Sequence, residues 1–192
     1  MRKLIYGLNL TLDGCCDHTK GSGSEEVHEY WTQVLRDVGV LLYGRKTYEL
    51  MVPFWPDVAK NNSGPTKAVN DFAQAFESVK NIIVFSRSLD RAEGPKTRIV
   101  RDNLPDEILK LKQEDGKDIL TGGVDLPSQL IELGLIDEYL FVVQPILVGE
   151  GRRLLDGTSL PEALQLQLVE SKIFDSGFVA LRYSKRKTSG AQ

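Results

Sequence analysis

The chain has 192 residues, of which 41% are hydrophobic and 27% charged, and 24 lysines and arginines against 27 aspartates and glutamates give a formal net charge of -3. This length and composition predict one soluble globular domain with its own core and exclude a disordered or fibrous chain. The acidic balance argues against a nucleic-acid partner, and no apolar run approaches the roughly 18 residues of a membrane span. No apolar leader follows Met1, so the expected location is the cytoplasm, with no membrane partner.

The first two predicted elements are a strand and a helix. Residues 3–9 form an apolar run that is typical of a strand and that leads to the turn residues Asp13-Gly14. Ser24 and the two glutamates after it indicate a helix N-terminus, and apolar residues at helical spacing extend this helix to about Asp37. We interpret the apolar stripe of this helix as core packing.

The same alternation continues through the middle of the chain. Apolar strand-like runs and amphipathic segments follow each other, with strands expected at residues 40–43, 81–85, 97–100 and 118–121, and helices at residues 48–51, 67–78, 104–112 and 124–133. The prolines at 53 and 56 should end the first of these helices, because proline lacks a backbone donor and restricts the residue before it.

The last third of the chain predicts antiparallel strands. A strand at residues 138–143 is followed by two strand-like runs, 164–174 and 178–184, joined by the turn residues Asp175-Ser176-Gly177. Strand–helix alternation requires parallel strands, whereas a hairpin is antiparallel. The expected fold is α/β, with a single mixed, mostly parallel sheet, helices on both faces and a C-terminal antiparallel hairpin. Residues 1–185 would form one domain and residues 186–192 a flexible basic tail.

Three predicted strands end in glycine or small polar residues. These ends are Gly44-Arg45-Lys46-Thr47, Ser86-Arg87 and Thr121-Gly122-Gly123-Val124. Ligands of open α/β sheets bind at the carboxyl ends of parallel strands, and glycine at a helix start lets an anion approach backbone N–H groups. Each segment alone could be an ordinary turn, and none matches a dinucleotide or P-loop fingerprint. Their joint occurrence favours a phosphate-rich cofactor.

The two cysteines are the adjacent pair Cys15-Cys16, which cannot join distant parts of the fold by a disulfide. They are expected to be free thiols of a reducing compartment. Cys15, Cys16 and His18 could suggest a thiol or metal sensor, but the only other histidine is His28 and no spaced second ligand pair exists. The prediction is therefore a polar loop with no metal.

Five segments in one order carry a family resemblance. They are Thr11-Leu12-Asp13-Gly14, the run from Gly44 to Glu49, Ser86-Arg87, Gly122-Gly123, and the run from Gln144 to Gly151. Together they resemble the dihydrofolate reductase-like family, and within it the group similar to the C-terminal reductase domain of bacterial riboflavin biosynthesis enzymes. The resemblance spans about residues 2–184. No single segment is diagnostic.

The resemblance implies a sheet of about eight strands that binds NADPH and passes a hydride to a reducible heterocycle. It implies cofactor contacts at the strand ends, made by Gly44, Arg45, Lys46, Thr47, Ser86, Arg87, Thr121, Gly122, Gly123, Val124, Asp125 and Leu126. Arg45 suits the 2′-phosphate, because its planar fork offers paired donors to an oxyanion.

The acceptor is expected to be a small pteridine- or pyrimidine-like heterocycle, in a reaction similar to that of 5-amino-6-(5-phosphoribosylamino)uracil reductase. Dihydrofolate reductases hold the pterin ring with a carboxylate on the first helix and the folate glutamate with an arginine on a later helix. By this resemblance folate reduction is disfavoured, since no arginine occurs between Lys46 and Lys80 and since Glu25 and Glu26 lie at the start of the first helix. The alternative is a non-catalytic module that binds NADP or another nucleotide.

Candidate substrate-side residues are fewer. Asp13 is the candidate catalytic group, with a turn-initiating role as the alternative. Trp55 could cover the substrate ring, or could serve the core or a dimer contact. Gln144, Pro145 and Ile146 could line the pocket floor, or could simply end a strand. A homodimer is expected, because the apolar last third offers a sheet edge for pairing.

Overall fold

The computed structural model describes residues 1–186 and has alternating strands and helices through most of this range. The strands are β1 Leu4–Thr11, β2 Val38–Gly44, β3 Asn81–Phe85, β4 Thr97–Val100, β5 Asp118–Thr121, β6 Glu138–Gln144, β7 Leu166–Ile173 and β8 Val179–Lys185. The helices are α1 Glu25–Asp37, α2 Arg45–Met51, α3 Phe54–Asn61, α4 Lys67–Ser78, α5 Leu104–Gln113 and α6 Asp125–Glu132. The predicted tail beyond Arg186 lies outside the described residues.

All eight strands form one sheet in the order β4-β3-β2-β5-β1-β6-β8-β7. The first six strands in this order are parallel to one another, while β8 runs antiparallel to both β6 and β7. The expected mixed sheet with a closing antiparallel hairpin is therefore confirmed. Gly177 in the hairpin turn has a φ of 83°, a left-handed conformation that favours glycine.

Helices cover both faces of the sheet, as the alternation predicted. Leu41 and Leu42 are adjacent in β2 and point to opposite faces, because side chains alternate along a strand. Leu41 belongs to a buried cluster with Phe76 of α4, whereas Leu42 belongs to a second cluster with Ile108 of α5. Helix α1 lies on the α4 side and α6 on the α5 side.

Helix α3 was missing from the sequence prediction. Helix α2 ends at Met51, as the prolines suggested, but a second helix begins at Phe54 with Pro53 as its N-cap. Pro56 is accommodated in the first turn of α3, where backbone N–H groups have no partner inside the helix. This helix places Trp55 beside α4.

Helix α1 follows the prediction closely. The Ser24 hydroxyl accepts a hydrogen bond from the backbone N–H of Val27, which satisfies one free donor of the first turn. The apolar stripe of α1 does more than pack in the core, because Trp31 on this helix also lines a cavity. No helix within residues 1–186 is both long enough and apolar enough to cross a bilayer.

Candidate functional site

The carboxyl ends of β2 and β5 lie side by side at one edge of the sheet. The two strands are parallel neighbours in which Leu42 pairs with Thr121. Gly44 and Gly122 follow these residues by two positions and one position, so the chain leaves both strands at the same edge. The sheet order thus brings two of the three predicted strand ends together, and β3 adds the third beside Gly44.

A cavity of about 570 Å³ opens at these strand ends, and we call it the polar cavity. It is lined by the predicted residues Gly44, Arg45, Lys46, Thr47, Gly122, Val124, Asp125 and Leu126, together with Glu49, Ser88 and Arg152. Three basic side chains therefore face one site in an acidic protein. This charge suits a ligand that carries phosphate groups.

Arg45 is held in place on the wall of the polar cavity. Its Nε donates to a carboxylate oxygen of Glu49 at 2.6 Å, and its Nη1 donates to the Ser88 hydroxyl at 2.9 Å. Two contacts on different sides restrict the guanidinium, so less freedom is lost when a ligand oxyanion binds it. Glu49 and Ser88 were not singled out in the sequence.

Ser86 and Arg87 do not line the polar cavity. The Ser86 hydroxyl accepts hydrogen bonds from the backbone N–H groups of Ser88 and Leu89, at 3.3 and 3.0 Å. Arg87 is exposed, and its carbonyl accepts from Arg101. Ser86 thus shapes the turn that carries Ser88 to the cavity, and the prediction that Ser86 and Arg87 contact a cofactor remains a prediction.

Arg152 is a cavity residue that the sequence analysis did not identify. It lies just after the run that ends at Gly151, and its guanidinium donates a hydrogen bond to Asp125. The Nε of Arg152 is buried and has no hydrogen-bond partner within the described part of the chain. A buried donor without a partner is costly, so a ligand oxygen at this point would be stabilising.

A second cavity, of about 620 Å³, adjoins the first, and we call it the apolar cavity. Thr47 and Gly122 line both cavities. The aromatic side chains on its walls are Trp31, Tyr43, Phe54, Trp55, Phe72 and Phe76. A volume of this size and an apolar lining are typical of a pocket for a small organic ligand.

The junction of the two cavities requires glycine. Gly123 has a φ of 85°, and a Cβ atom there would collide with the hydroxyl oxygen of Thr47. The carbonyl of Gly123 accepts a hydrogen bond from the Tyr6 hydroxyl at 2.8 Å, and burial raises the pKa of Tyr6 well above its usual range. Tyr6 is therefore a permanent donor that fixes the glycine turn. Gly123 and Thr121, which were also predicted to contact a cofactor, line the apolar cavity and not the polar cavity.

The apolar cavity also has polar lining residues, which are Asn9, Cys16, Asp17, His18, Ser22, His28, Thr47, Thr121 and Gln144. The Nδ1 of His28 lies 2.9 Å from the Ser24 carbonyl, which requires that Nδ1 carry the proton and leaves Nε2 available. The hydroxyl of Thr121 is buried without a partner among the described residues. Asp17 accepts two hydrogen bonds from Thr19, which lower the pKa of its carboxyl group, so it is ionised near neutral pH.

Asp13 has different contacts from those expected of a catalytic group. Its carboxylate accepts from the Thr11 hydroxyl and from the backbone N–H of Gly149, the latter at 2.8 Å, and these bonds lower its pKa to about 2. Asp13 lines neither cavity. A carboxyl group this acidic carries no proton to donate near neutral pH. In the structure Asp13 anchors the loop that carries Arg152, and its candidate catalytic role remains a prediction.

The predicted substrate-side residues divide into two pairs. Trp55 and the buried Gln144 line the apolar cavity. Pro145 and Ile146 do not: Pro145 lies against the hairpin at Gly177, and the Ile146 carbonyl accepts from the backbone N–H of Leu12 at 3.0 Å. Ile146 therefore holds the turn after β1.

The two thiols are free and shielded. Cys15 is buried, and Cys16 donates a hydrogen bond to the Arg152 carbonyl at 3.2 Å. Burial raises the pKa of Cys16 to about 11, so the reactive thiolate is scarce near neutral pH. Within residues 1–186 no three His, Cys, Asp or Glu side chains converge as ligands of a metal ion.

Comparison with known sequences gives a family and two relatives along almost the whole chain. The family model described as the RibD C-terminal domain matches residues 2–180. The uncharacterized protein YyaP of Bacillus subtilis (strain 168) is 31% identical over 186 residues, which are 95% of this chain and 94% of YyaP.

Two solved structures share the fold at low sequence identity. The deaminase/5-amino-6-(5-phosphoribosylamino)uracil reductase of Thermotoga maritima is 16% identical with a TM-score of 0.65, over 96% of this chain and 57% of that one. Dihydrofolate reductase of Enterococcus faecalis, complexed with NADP(H), is 14% identical with a TM-score of 0.62, over 96% and 97% of the two chains. The dihydrofolate reductase-like fold is confirmed.

Proposed function

The chain belongs to the RibD C-terminal domain family, and from this we propose that it is an NADPH-dependent reductase that transfers a hydride to a small pteridine- or pyrimidine-like heterocycle. The observation that carries the proposal is the pair of adjoining cavities. A cationic cavity and an aromatic cavity meet at Thr47 and Gly122, as a dinucleotide cofactor and a planar acceptor in contact would require.

The residues of the polar cavity fit the phosphate groups of NADPH. Arg45, Lys46 and Arg152 supply positive charge, and the unpartnered Nε of Arg152 offers a buried donor. Arg45 is the proposed contact of the 2′-phosphate, since its planar fork pairs with an oxyanion.

The residues of the apolar cavity fit the acceptor side of a reductase. NADPH supplies the hydride when it is bound. Trp31 and Trp55 enclose the cavity and exclude water from the reacting atoms. His28 is proposed as a proton source beside the candidate Asp13: Nδ1 donates to the Ser24 carbonyl, so the proton for the acceptor would come from Nε2 of the protonated ring.

Binding and turnover of NADPH test this function directly. We expect the purified protein to bind NADPH in the micromolar range and to oxidise it when a suitable dihydropteridine or aminopyrimidine is added, followed by NADPH absorbance. Absence of NADPH binding would refute the proposal. Tight binding of NADPH with no oxidation across the acceptor panel would favour a non-catalytic nucleotide-binding module.

A homodimer is part of the proposal. Strand β7 forms an outer edge of the sheet, and Leu168, Val169 and Ile173 on it are 50%, 56% and 80% exposed. An exposed apolar edge strand favours pairing with another chain. Light scattering should give twice the mass of one chain, and the substitution of Ile173 by Lys should reduce it. A monomer at micromolar concentration would contradict the dimer.

A further inference from the structure

Positive charge is divided sharply between the two cavities. Three basic side chains line the polar cavity, whereas no lysine or arginine of residues 1–186 lines the apolar cavity. The charged group that does line it is the carboxylate of Asp17, accompanied by His18 and His28. The acceptor cavity therefore lacks the lysine and arginine side chains that typically bind a phosphate or carboxylate group.

Basic residues in the loops around the apolar cavity have partners elsewhere. The Nζ of Lys20 lies 2.5 Å from a carboxylate oxygen of Glu150, at the protein surface. The guanidinium of Arg152 binds Asp125 on the polar-cavity side, although its carbonyl accepts from Cys16. Neither cation is directed to the acceptor cavity.

The lining of the apolar cavity suits a flat, uncharged ring. Trp55 packs edge-on against Phe72 with ring centroids 4.5 Å apart and against Phe54 at 4.9 Å. His28 adds an edge contact to Phe72 at 5.9 Å. Such a cluster forms a rigid aromatic wall that stabilises a planar ligand by contact area.

Two polar groups could bind the edge of such a ring. The hydroxyl of Thr121 is buried and unpartnered among the described residues. Gln144 is buried, and its Oε1 accepts from the backbone N–H of Ser22 at 3.0 Å, which leaves its NH₂ group to donate. Together with Asp17, these groups match ring N–H and C=O positions.

We propose that the acceptor is a planar heterocycle that bears neither a phosphate nor a carboxylate group. The proposal rests on the reductase function above and narrows its substrate class. An anionic substituent in this cavity would be removed from water without a lysine or arginine to pair with, and it would be repelled by the Asp17 carboxylate. A reducible C=N bond of the ring takes up the hydride at carbon and a proton at nitrogen, so NADPH leaves as NADP⁺.

Tryptophan fluorescence measures acceptor binding separately from turnover. Trp31 and Trp55 are the two tryptophans of the chain, and both line the apolar cavity. Each pair of matched ligands differs by one anionic group: 5-amino-6-ribosylaminouracil against its 5′-phosphate, and 6-methyldihydropterin against 6-carboxydihydropterin. We expect the uncharged member of each pair to quench with a Kd at least about tenfold lower, which corresponds to about 1.4 kcal/mol.

A charge introduced at the cavity mouth is the second arm of the experiment. Phe54 lines the cavity and is 55% exposed. In Phe54→Lys the ratio of the Kd values of the anionic and uncharged ligands should therefore fall by about threefold or more. Leu50→Lys is an independent repeat. Leu109→Lys is the matched control, because Leu109 is 46% exposed on α5 at the other face. It should leave the ratio unchanged.

The outcomes separate this proposal from the reductase function. Equal or tighter binding of the anionic member of each pair would overturn the proposal, as would failure of both uncharged rings to quench. Preference for the uncharged rings without NADPH oxidation would support the cavity assignment and refute the reductase function. Preference together with oxidation supports both.

Discussion

Asp125 and Arg152 form an ion pair across the polar cavity, although they lie on separate segments, the start of α6 and the loop after β6. The other carboxylate oxygen of Asp125 lies 3.6 Å from the Nζ of Lys46. One carboxylate therefore neutralises two of the three cations at the proposed phosphate site. A phosphate ligand must compete with Asp125 for both of them.

The first prediction concerns this competition. Asp125→Asn should increase NADPH affinity by about three- to tenfold, because two partly exposed cations lose a competing carboxylate. The salt dependence of binding should also steepen. Isothermal titration at two salt concentrations measures both effects. Asp71→Asn is the control, since Asp71 pairs with Lys67 on α4, away from the cavity. Weaker NADPH binding by the Asp125 variant would show that the carboxylate mainly positions Arg152 and Lys46.

The second prediction concerns cofactor choice. Arg45→Ala should weaken NADPH binding about tenfold while changing NADH binding little, because a charge-assisted bond to the 2′-phosphate is lost. Lys67→Ala is a matched control: each residue opens its helix and pairs with a carboxylate four residues on, but Lys67 lies outside the cavity. Equal losses for the two cofactors would place Arg45 away from the 2′-phosphate.

Local sequence patterns were sufficient to predict most of the fold. Helix α4 and strands β3, β4 and β5 have the predicted limits, since each is bounded by capping residues, glycine or proline. Helix α3 was not predicted because Pro53 and Pro56 indicate the end of a helix. In the structure both prolines fit the start of a new helix.

The candidate site was predictable only where a local motif marks a strand end. Gly44 ends β2, Arg45 and Gly122 directly follow β2 and β5, and strand pairing brings these residues to one cavity. Arg152 and Ser88 reach the same cavity through loops, so no sequence spacing places them there. Aspartate is a common turn residue, so the sequence around Asp13 predicts only a turn. Its role as the loop anchor depends on Gly149, which is 136 positions away in the chain.

The third prediction tests the role of Asp13. Asp13→Asn should lower NADPH affinity modestly, because the loop that carries Arg152 loses an anchor at Gly149, while quenching by uncharged acceptors stays unchanged. A catalytic role predicts instead a large loss of kcat with unchanged NADPH affinity. The pKa of Asp13 is lowered to about 2 in the folded protein. Its contribution to the stability of the fold is therefore present at neutral pH and is lost as pH falls toward that value. Loss of this contribution can be followed by urea unfolding of the variant and of the unmodified protein at several acidic pH values.

The fourth prediction concerns the proton source. His28→Gln should reduce kcat by about 10²-fold or more, a typical contribution of general acid catalysis, with little change in NADPH affinity. Because a general acid acts only while it holds its proton, the fall in kcat toward high pH should weaken in this variant. His18→Gln is the control, since His18 lines the same cavity but its side chain is 64% exposed. A pH profile that is the same in the His28 variant and the unmodified protein would assign the proton to solvent.

The last prediction concerns stability away from the cavities. Glu138 in β6 is buried, with Lys3 at 2.6 Å and Arg182 at 2.5 Å from its carboxylate oxygens. Burial alone would raise the pKa of Glu138, but the hydrogen bonds and charges of Lys3 and Arg182 outweigh it and lower the pKa below its usual value. A lowered folded-state pKa stabilises the protein above the ordinary pKa of 4.5, and this contribution is lost as pH falls below it.

Glu138→Gln should therefore lower the free energy of unfolding by about 1–3 kcal/mol at pH 7, because two partly exposed cations lose their partner. The loss corresponds to a decrease in Tm of roughly 2–12 °C for a domain of this size. The difference between variant and unmodified protein should shrink as pH falls below 4.5, where the carboxylate of the unmodified protein takes up its proton. Urea unfolding at several pH values measures this, with the exposed Glu132→Gln on α6 as control. A difference that is constant from pH 7 to pH 3 would mean that packing, and not the charge of Glu138, stabilises β6 against β1 and β8.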